Sequence, residues 1–186
     1  MTMGVVGVLL AAGAGRRMGR PKALMHDLDG TSWLLRSVAT LDRGGCDQVT
    51  VVLGAGADEA EAMLAAVPVD VILAPDWASG MAASLRAGLG FLREGDAAVV
   101  SLVDLPDVGP EVVRRLIDSG ASPDALARAT YDGTPGHPVL LGRQHWAGVL
   151  ASATGDRGAR DYLATHEHRL IECGDLATGV DVDSLV

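Results

Sequence analysis

Aromatic side chains are nearly missing from this sequence, which has one Phe, two Tyr and three Trp in 186 residues. That scarcity excludes a platform on which the bases of a single-stranded nucleic acid could stack. Basic residues are outnumbered as well, 15 Lys and Arg against 24 Asp and Glu. A formal charge of −9 opposes binding to a polyanion, whose counterions must be displaced by clustered cations, so no nucleic-acid partner is expected. The only two cysteines, Cys46 and Cys173, lack the C-x-x-C spacing of a zinc site or redox pair and read as small apolar core residues of a reducing compartment. No apolar run approaches the ~20 residues that span a bilayer, and the N-terminus has no basic stretch leading into a cleavable apolar segment. A cytoplasmic protein without a membrane partner is the expectation. Internal repeats, low-complexity tracts and long linkers are also missing.

The remainder is rich in Ala, Val, Leu and Gly, with nearly half of all residues apolar, enough for one sizeable core and one domain. Short Val/Leu-rich runs alternate with longer helical stretches, the pattern of repeated βαβ units around a mostly parallel sheet with helices on both sides. Val5–Ala11, Val49–Leu53, Val69–Leu73 and Ala97–Val103 read as strands apolar on both faces. Trp33, Leu34, Val38 and Leu41 recur at helical spacing after a Thr31-Ser32 cap, and Met81, Leu85, Leu89 and Leu92 do so after Ser79. Glu111–Ser119 reads as a helix entered through Pro110. Beyond it, Ala125–Tyr131 and Pro138–Leu141 read as strands separated by turns at Asp132-Gly133 and Pro135-Gly136, and Trp146–Ala151 and Ala159–Ala164 as short helices.

The feature richest in chemistry follows the first strand: Leu10, Ala11, Ala12, Gly13, Ala14 and Gly15, then Arg16-Arg17-Met18-Gly19-Arg20-Pro21-Lys22. Small residues let a backbone approach phosphates and offer them N–H groups, while Arg17 and Lys22 could neutralise charge on a transferred phosphoryl group. The loop is not a P-loop, because Gly19 is followed by Arg-Pro-Lys instead of Lys-Ser/Thr. It fits a dinucleotide fingerprint poorly: Met18 stands where the third glycine belongs, and Leu53-Gly54 where an acid should close the second strand. A tight βα turn would need only the glycines; four basic residues interleaved with four small ones at a strand end point to phosphate.

This loop resembles the molybdenum-cofactor nucleotidyltransferases, the MobA-like group of NTP transferases. The resemblance continues in order through Asp76-Trp77-Ala78-Ser79-Gly80-Met81 with Ser84-Leu85, Asp104-Leu105-Pro106, Gly136-His137-Pro138-Val139, Thr154–Arg160 and Val180-Asp181-Val182-Asp183. It implies a single-domain three-layer α/β/α sandwich of the Rossmann-like nucleotide-diphospho-sugar transferase type, with residues 1–109 as the nucleotide half and residues 110–186 as the acceptor half. It further implies that residues 10–15 and Lys22 wrap the triphosphate, that Gly80, Met81 and Ser84 border the base, and that Asp104 holds Mg²⁺ with Asp183 or Asp181. The Ala-Ala-Gly loop resembles the cytidylyl-transferring branch, so CTP is the favoured donor and molybdopterin or a related phosphorylated molecule the acceptor. A molybdoenzyme would be the maturation partner. Two departures stand out: Val103 replaces the family's usual glycine before Asp104 and should crowd the backbone there, and the Thr-Pro-Glu-Asp helix that usually follows the final aspartates is not found.

The residues support several of these roles independently. Asp104 closes an apolar strand at its carboxyl end, where open parallel sheets bind ligands and a carboxylate can hold a hard cation, although an aspartate before Leu105-Pro106 can also serve as a helix cap. Asp181 and Asp183 alternate along an apparent strand and would share a face; solvated carboxylates near a frayed terminus are the other reading. His137, with an ordinary pKa near 6.5, could touch the acceptor, protonate a leaving group, or simply pack. Arg157 and Arg160 could fork onto an acceptor phosphate, or pair with Asp156 and Asp161 on a solvated helix face. Met18, Met81 and Trp33 suit packing. Two rivals to nucleotidyl transfer remain: an NAD(P)H-dependent reductase of a pigment or quinone, as described for some proteins resembling this group, and a non-catalytic nucleotide-binding protein of cofactor maturation.

Overall fold

Every residue of β1 (Val5–Ala11) is buried, because helices cover both faces of the sheet at its centre. Leu9 and Ala11 face one apolar cluster, Val8 and Leu10 the other. A computed structural model describes residues 4–183. Its seven-stranded sheet is ordered β3-β2-β1-β4-β6-β5-β7, with β2 (Gln48–Leu53), β3 (Asp70–Leu73), β4 (Ala97–Leu102), β5 (Leu126–Tyr131), β6 (Thr134–Gly142) and β7 (Arg169–Glu172). The first four strands run parallel, β6 is antiparallel to β4 and β5, and β7 returns parallel to β5. The mostly parallel sheet is thus as expected.

Helices α1 (Trp33–Gly44), α2 (Ala57–Leu64) and α4 (Pro110–Asp118) cover one face; α3 (Met81–Phe91), α5 (Arg143–Ser152) and α6 (Arg160–Thr165) cover the other. Ser32 caps α1, its hydroxyl accepting from the Leu35 N–H at 3.3 Å. Where α1 meets α4, a Cβ on Gly44 would lie 2.5 Å from Val113, so the absence of a side chain sets the closeness of that pair. A third small cluster, formed by Leu105, Val108, Val112, Ala129, Tyr131 and Cys173, underlies the C-terminal segment. Both cysteines are buried, and burial pushes the Cys46 thiol up to about 12.

The structure departs from the sequence reading in places. Gly80, not Ser79, takes the N-cap position of α3; the Ser79 hydroxyl instead donates to the Asp76 carbonyl at 2.8 Å. Of the two expected turns only Asp132-Gly133 exists, with φ of 50° and 78°, the double left-handed geometry of a tight hairpin. Pro135, Gly136 and His137 lie within β6. Asp181 and Asp183 belong to no strand. Helix α2 and strand β7 were not anticipated: α2 buries only Ala60 and Leu64 among its acids, and β7 is an edge strand whose residues are largely exposed. Among the described residues, no helix is long and apolar enough to cross a membrane.

After β1 the chain moves to β2 on one side and later to β4 on the other, so the carboxyl ends of β1 and β4 flank a topological switch point. The glycine loop leaves one of these ends and Asp104 the other.

Candidate active site

Gly15 closes the loop in a left-handed conformation at φ 57°, and a Cβ there would sit 1.9 Å from the Arg20 carbonyl oxygen. The carbonyls of Gly13 and Gly15 are taken by the N–H groups of Lys22, at 3.1 Å, and Met18, at 2.8 Å. The N–H groups of Gly13, Ala14, Gly15 and Arg16 have no protein acceptor among the described residues, leaving a small nest of donors of the kind that receives anions. Pro21 then leads into one 3-10 turn, Lys22–Leu24, which buries Ala23 and Leu24 and turns Lys22 back under the loop.

The Lys22 ammonium donates to Asp104 Oδ2 at 2.5 Å and to Asp183 Oδ1 at 2.9 Å. Burial works against its charge, but the bonds to both carboxylates outweigh it and hold the amine above its ordinary value. Burial lifts the Asp104 carboxyl, and the Lys22 contact opposes this without cancelling it. The exposed Asp183 is held below the usual range by its hydrogen bond from Lys22. Although no strand carries them, Asp181 and Asp183 do reach Asp104: one carboxylate oxygen from each of the three lies within 4.8 Å of the others. The Val182 N–H anchors this arrangement by donating to the Asp104 carbonyl at 3.0 Å. Three carboxylates at one point form an all-oxygen donor set, which suits a hard divalent cation such as Mg²⁺ or Mn²⁺.

A cavity of about 370 Å³ opens beside this cluster. Of the residues singled out in the sequence it brings together Leu10, Ala12, Gly13, Ala14 and Gly15 with Lys22 and Asp104, and on the facing wall Gly80, Met81 and Ser84. Two candidates lie elsewhere. Ala11 turns into the opposite core cluster, and Arg17 points outward to pair with Asp183 at 3.3 Å while its neighbour Arg16 lines the cavity. Val103 is buried in the core and also borders the cavity beside Asp104. Trp77 and Asp156 also line the cavity; both stood within motifs, but that the second motif approaches the first is shown only by the fold. That approach is close: the Ala82 N–H donates to the Gly155 carbonyl at 2.8 Å, and a Cβ on Gly80 would strike Gly155 and Asp156 at 2.6 Å.

A second cavity, of about 630 Å³, shares Met81, Leu102 and Asp156 with the first, so the two form one cleft. It is lined by His137, Arg157, Arg160 and Asp181, together with Arg128, which the sequence did not single out. Burial and the nearby Arg128 guanidinium push His137 down to about 4, so the ring is neutral near pH 7. A neutral ring suits contact or packing better than giving a proton to a leaving group. Arg157 is exposed and pairs with Asp161 at 3.0 Å, as the solvated-face reading anticipated, while still lining the cavity.

Residues 7–170 match the MobA-like NTP transferase domain. The chain is 36% identical to the nicotine blue oxidoreductase of Paenarthrobacter nicotinovorans, an alignment covering 97% of this chain and 93% of that protein. It is 31% identical to the bifunctional protein GlmU of Rhizorhabdus wittichii over 89% of its own length, yet it spans only 36% of that longer protein. Among solved structures, Rv0371c of Mycobacterium tuberculosis H37Rv in complex with manganese is similar at a TM-score of 0.76 and 30% identity, covering 96% of this chain and 94% of that one.

Proposed function

Because this chain belongs to the MobA-like NTP transferase family, we propose that it transfers a nucleoside monophosphate from an NTP to a phosphorylated small-molecule acceptor and releases pyrophosphate. One observation carries the reading: the loop's unpaired N–H groups, Lys22 and Asp104 border one cavity, which opens into a second lined by Asp181, and Asp183 completes the carboxylate cluster between them. The first cavity would take the NTP and the second the acceptor, so that residues 1–109 supply most of the nucleotide half and residues 110–183 most of the acceptor half. On the resemblance of the Ala-Ala-Gly loop, CTP is the favoured donor and a molybdopterin-like phosphate the favoured acceptor, with a molybdoenzyme as downstream partner.

An acceptor phosphate oxygen attacks the α-phosphorus in line, the bond from that phosphorus to the bridging oxygen breaks, and pyrophosphate departs. Such a step needs positioning and charge neutralisation and no protein nucleophile. The loop N–H groups receive phosphate oxygens. Lys22 exchanges a carboxylate contact for the triphosphate and offsets charge on the leaving group, with Arg16 beside it at the cavity wall. Arg17 acts indirectly, by orienting Asp183. Gly80, Met81 and Ser84 border the base. Asp104, Asp181 and Asp183 would hold Mg²⁺, which when bound screens the phosphates' mutual repulsion. His137, neutral, orients the acceptor without giving it a proton.

A second reading is favoured by the likeness, over nearly both full lengths, to a protein called an oxidoreductase: the same cleft would hold a nicotinamide nucleotide and a pigment or quinone. Calorimetry with CTP, GTP, ATP and NADH, each with and without Mg²⁺, on the wild type and on Lys22→Ala separates the two. Mg²⁺-dependent, Lys22-dependent CTP binding with pyrophosphate release supports transfer. NADH binding without Mg²⁺, together with bleaching of the nicotinamide absorbance by a dye acceptor, would overturn it.

A further inference from the structure

Arg128 stands on β5 with its guanidinium half-buried in the wall of the second cavity. Its Nη2 donates to the Gly136 carbonyl at 3.2 Å, and its buried Nε has no hydrogen-bond partner. No carboxylate pairs with it among the described residues, whereas the two other partly buried arginines, Arg36 and Arg115, are paired with Asp27 and Asp175. A second cation faces it. Arg160, at the start of α6, lines the same cavity, also makes no ion pair among the described residues, and lies near enough that burial and then the Arg160 charge depress Arg128 below its ordinary value. A desolvated guanidinium is normally compensated by a carboxylate, since leaving it unpaired in a low dielectric is costly. Here two unpaired guanidiniums face one open volume. The carboxylates of that cavity are engaged elsewhere or stand apart: Asp181 belongs to the cluster around Asp104, and Asp156 sits at the junction with the first cavity.

We propose that Arg128 and Arg160 form an oxyanion seat that selects the second substrate by a phosphate monoester group, with Arg128 the specificity-determining residue. Two guanidiniums match the two charges of a phosphate dianion, and their planar forks suit its oxygens better than a single carboxylate, which would leave one cation uncompensated. Neutral His137 beside Arg128 adds no further positive charge and is free to offer one ring nitrogen. This inference rests on the second cavity's being the acceptor side of the cleft, as the transfer reading has it.

The test is calorimetric titration with inorganic phosphate, and with acetate as the monoanionic comparison, on the wild type, Arg128→Gln, Arg160→Gln and Lys22→Ala. Phosphate should bind the wild type more tightly than acetate, and any loss in Lys22→Ala should be smaller than the loss in either arginine variant. Removing either guanidinium should weaken it about tenfold or more, as expected for losing a charge-assisted contact. Arg160 is exposed on a helix end, so Arg160→Gln keeps the test decisive should Arg128→Gln fold poorly. Phosphate affinity that falls with Lys22→Ala but not with the arginine variants would overturn the seat, as would no measurable phosphate binding to the wild type. Titrating CTP with Mg²⁺ into the same proteins keeps the two readings apart: CTP binding retained by Arg160→Gln alongside lost phosphate binding supports both. CTP binding absent from the wild type would sink the transfer reading while the arginine result still stands or falls by itself.

Discussion

Lys22 is shared by two carboxylates that would also hold a cation, so its ammonium competes for the oxygens a metal needs and must shift toward phosphate when nucleotide arrives. Lys22→Ala should weaken CTP binding in the presence of Mg²⁺ by about ten- to a hundredfold, the range for a lost charge-assisted hydrogen bond, as read by calorimetry. His137 has a different signature. Its folded value near 4 lies below the ordinary 6.5 of the unfolded chain, so the unfolded state binds the extra proton first and stability declines as pH falls from about 6.5 to about 4. Denaturant unfolding at pH 7 and pH 4.5 should show a loss to which His137 contributes about 2 kcal/mol, a part that His137→Gln removes. Lys22 and Asp104 were legible in the sequence because motif and strand end coincide. Arg128 was not, because a single arginine in an apolar strand has no spacing to mark it, and its meaning comes from the absence of a carboxylate across the cavity.

At the scale of elements, burial on both faces made the four parallel strands legible, and Ser32 announced α1 by its capping chemistry. The strand expected through Asp181 and Asp183 is not formed, because alternating Val and Asp imitate a strand while these residues pair with none in the sheet. Gly179 sets their path: at φ 65°, a Cβ would fall 2.1 Å from the Tyr131 ring. Gly179→Ala should lower the melting temperature by a few degrees, on the order of 1 kcal/mol, and weaken Mg²⁺-dependent nucleotide binding more than that shift implies, since Asp181 and Asp183 lie just beyond it. A calorimetric Mg²⁺ titration beside a thermal melt would reveal the disproportion; equal effects on both would count against the segment's role.

For the whole molecule, the first cavity lies at the carboxyl ends of β1 and β4 and the second against β5 and β6, so ligand contacts join both halves of the sheet. Ligand that binds only the folded chain should stabilise it by about 2.7 kcal/mol at a hundred times its dissociation constant. In a protein of this size that is a rise of about 5–10 °C, measurable by scanning fluorimetry with CTP and Mg²⁺ together and much reduced with either alone. The excess of acid predicts in addition that mixed-sequence DNA leaves the melt unchanged.

The tail from Gly174 to Asp183 has no strand partners, exposes much of its length, and is tied to the catalytic cleft through one backbone bond at Val182 and the pairing of Asp183. A protease that nicked it near Val180 would leave the sheet intact and remove two of the three carboxylates at a stroke. Such a preparation would look sound by circular dichroism and by gel filtration while being dead in the assay, so intact mass should be verified before any loss of activity is blamed on chemistry.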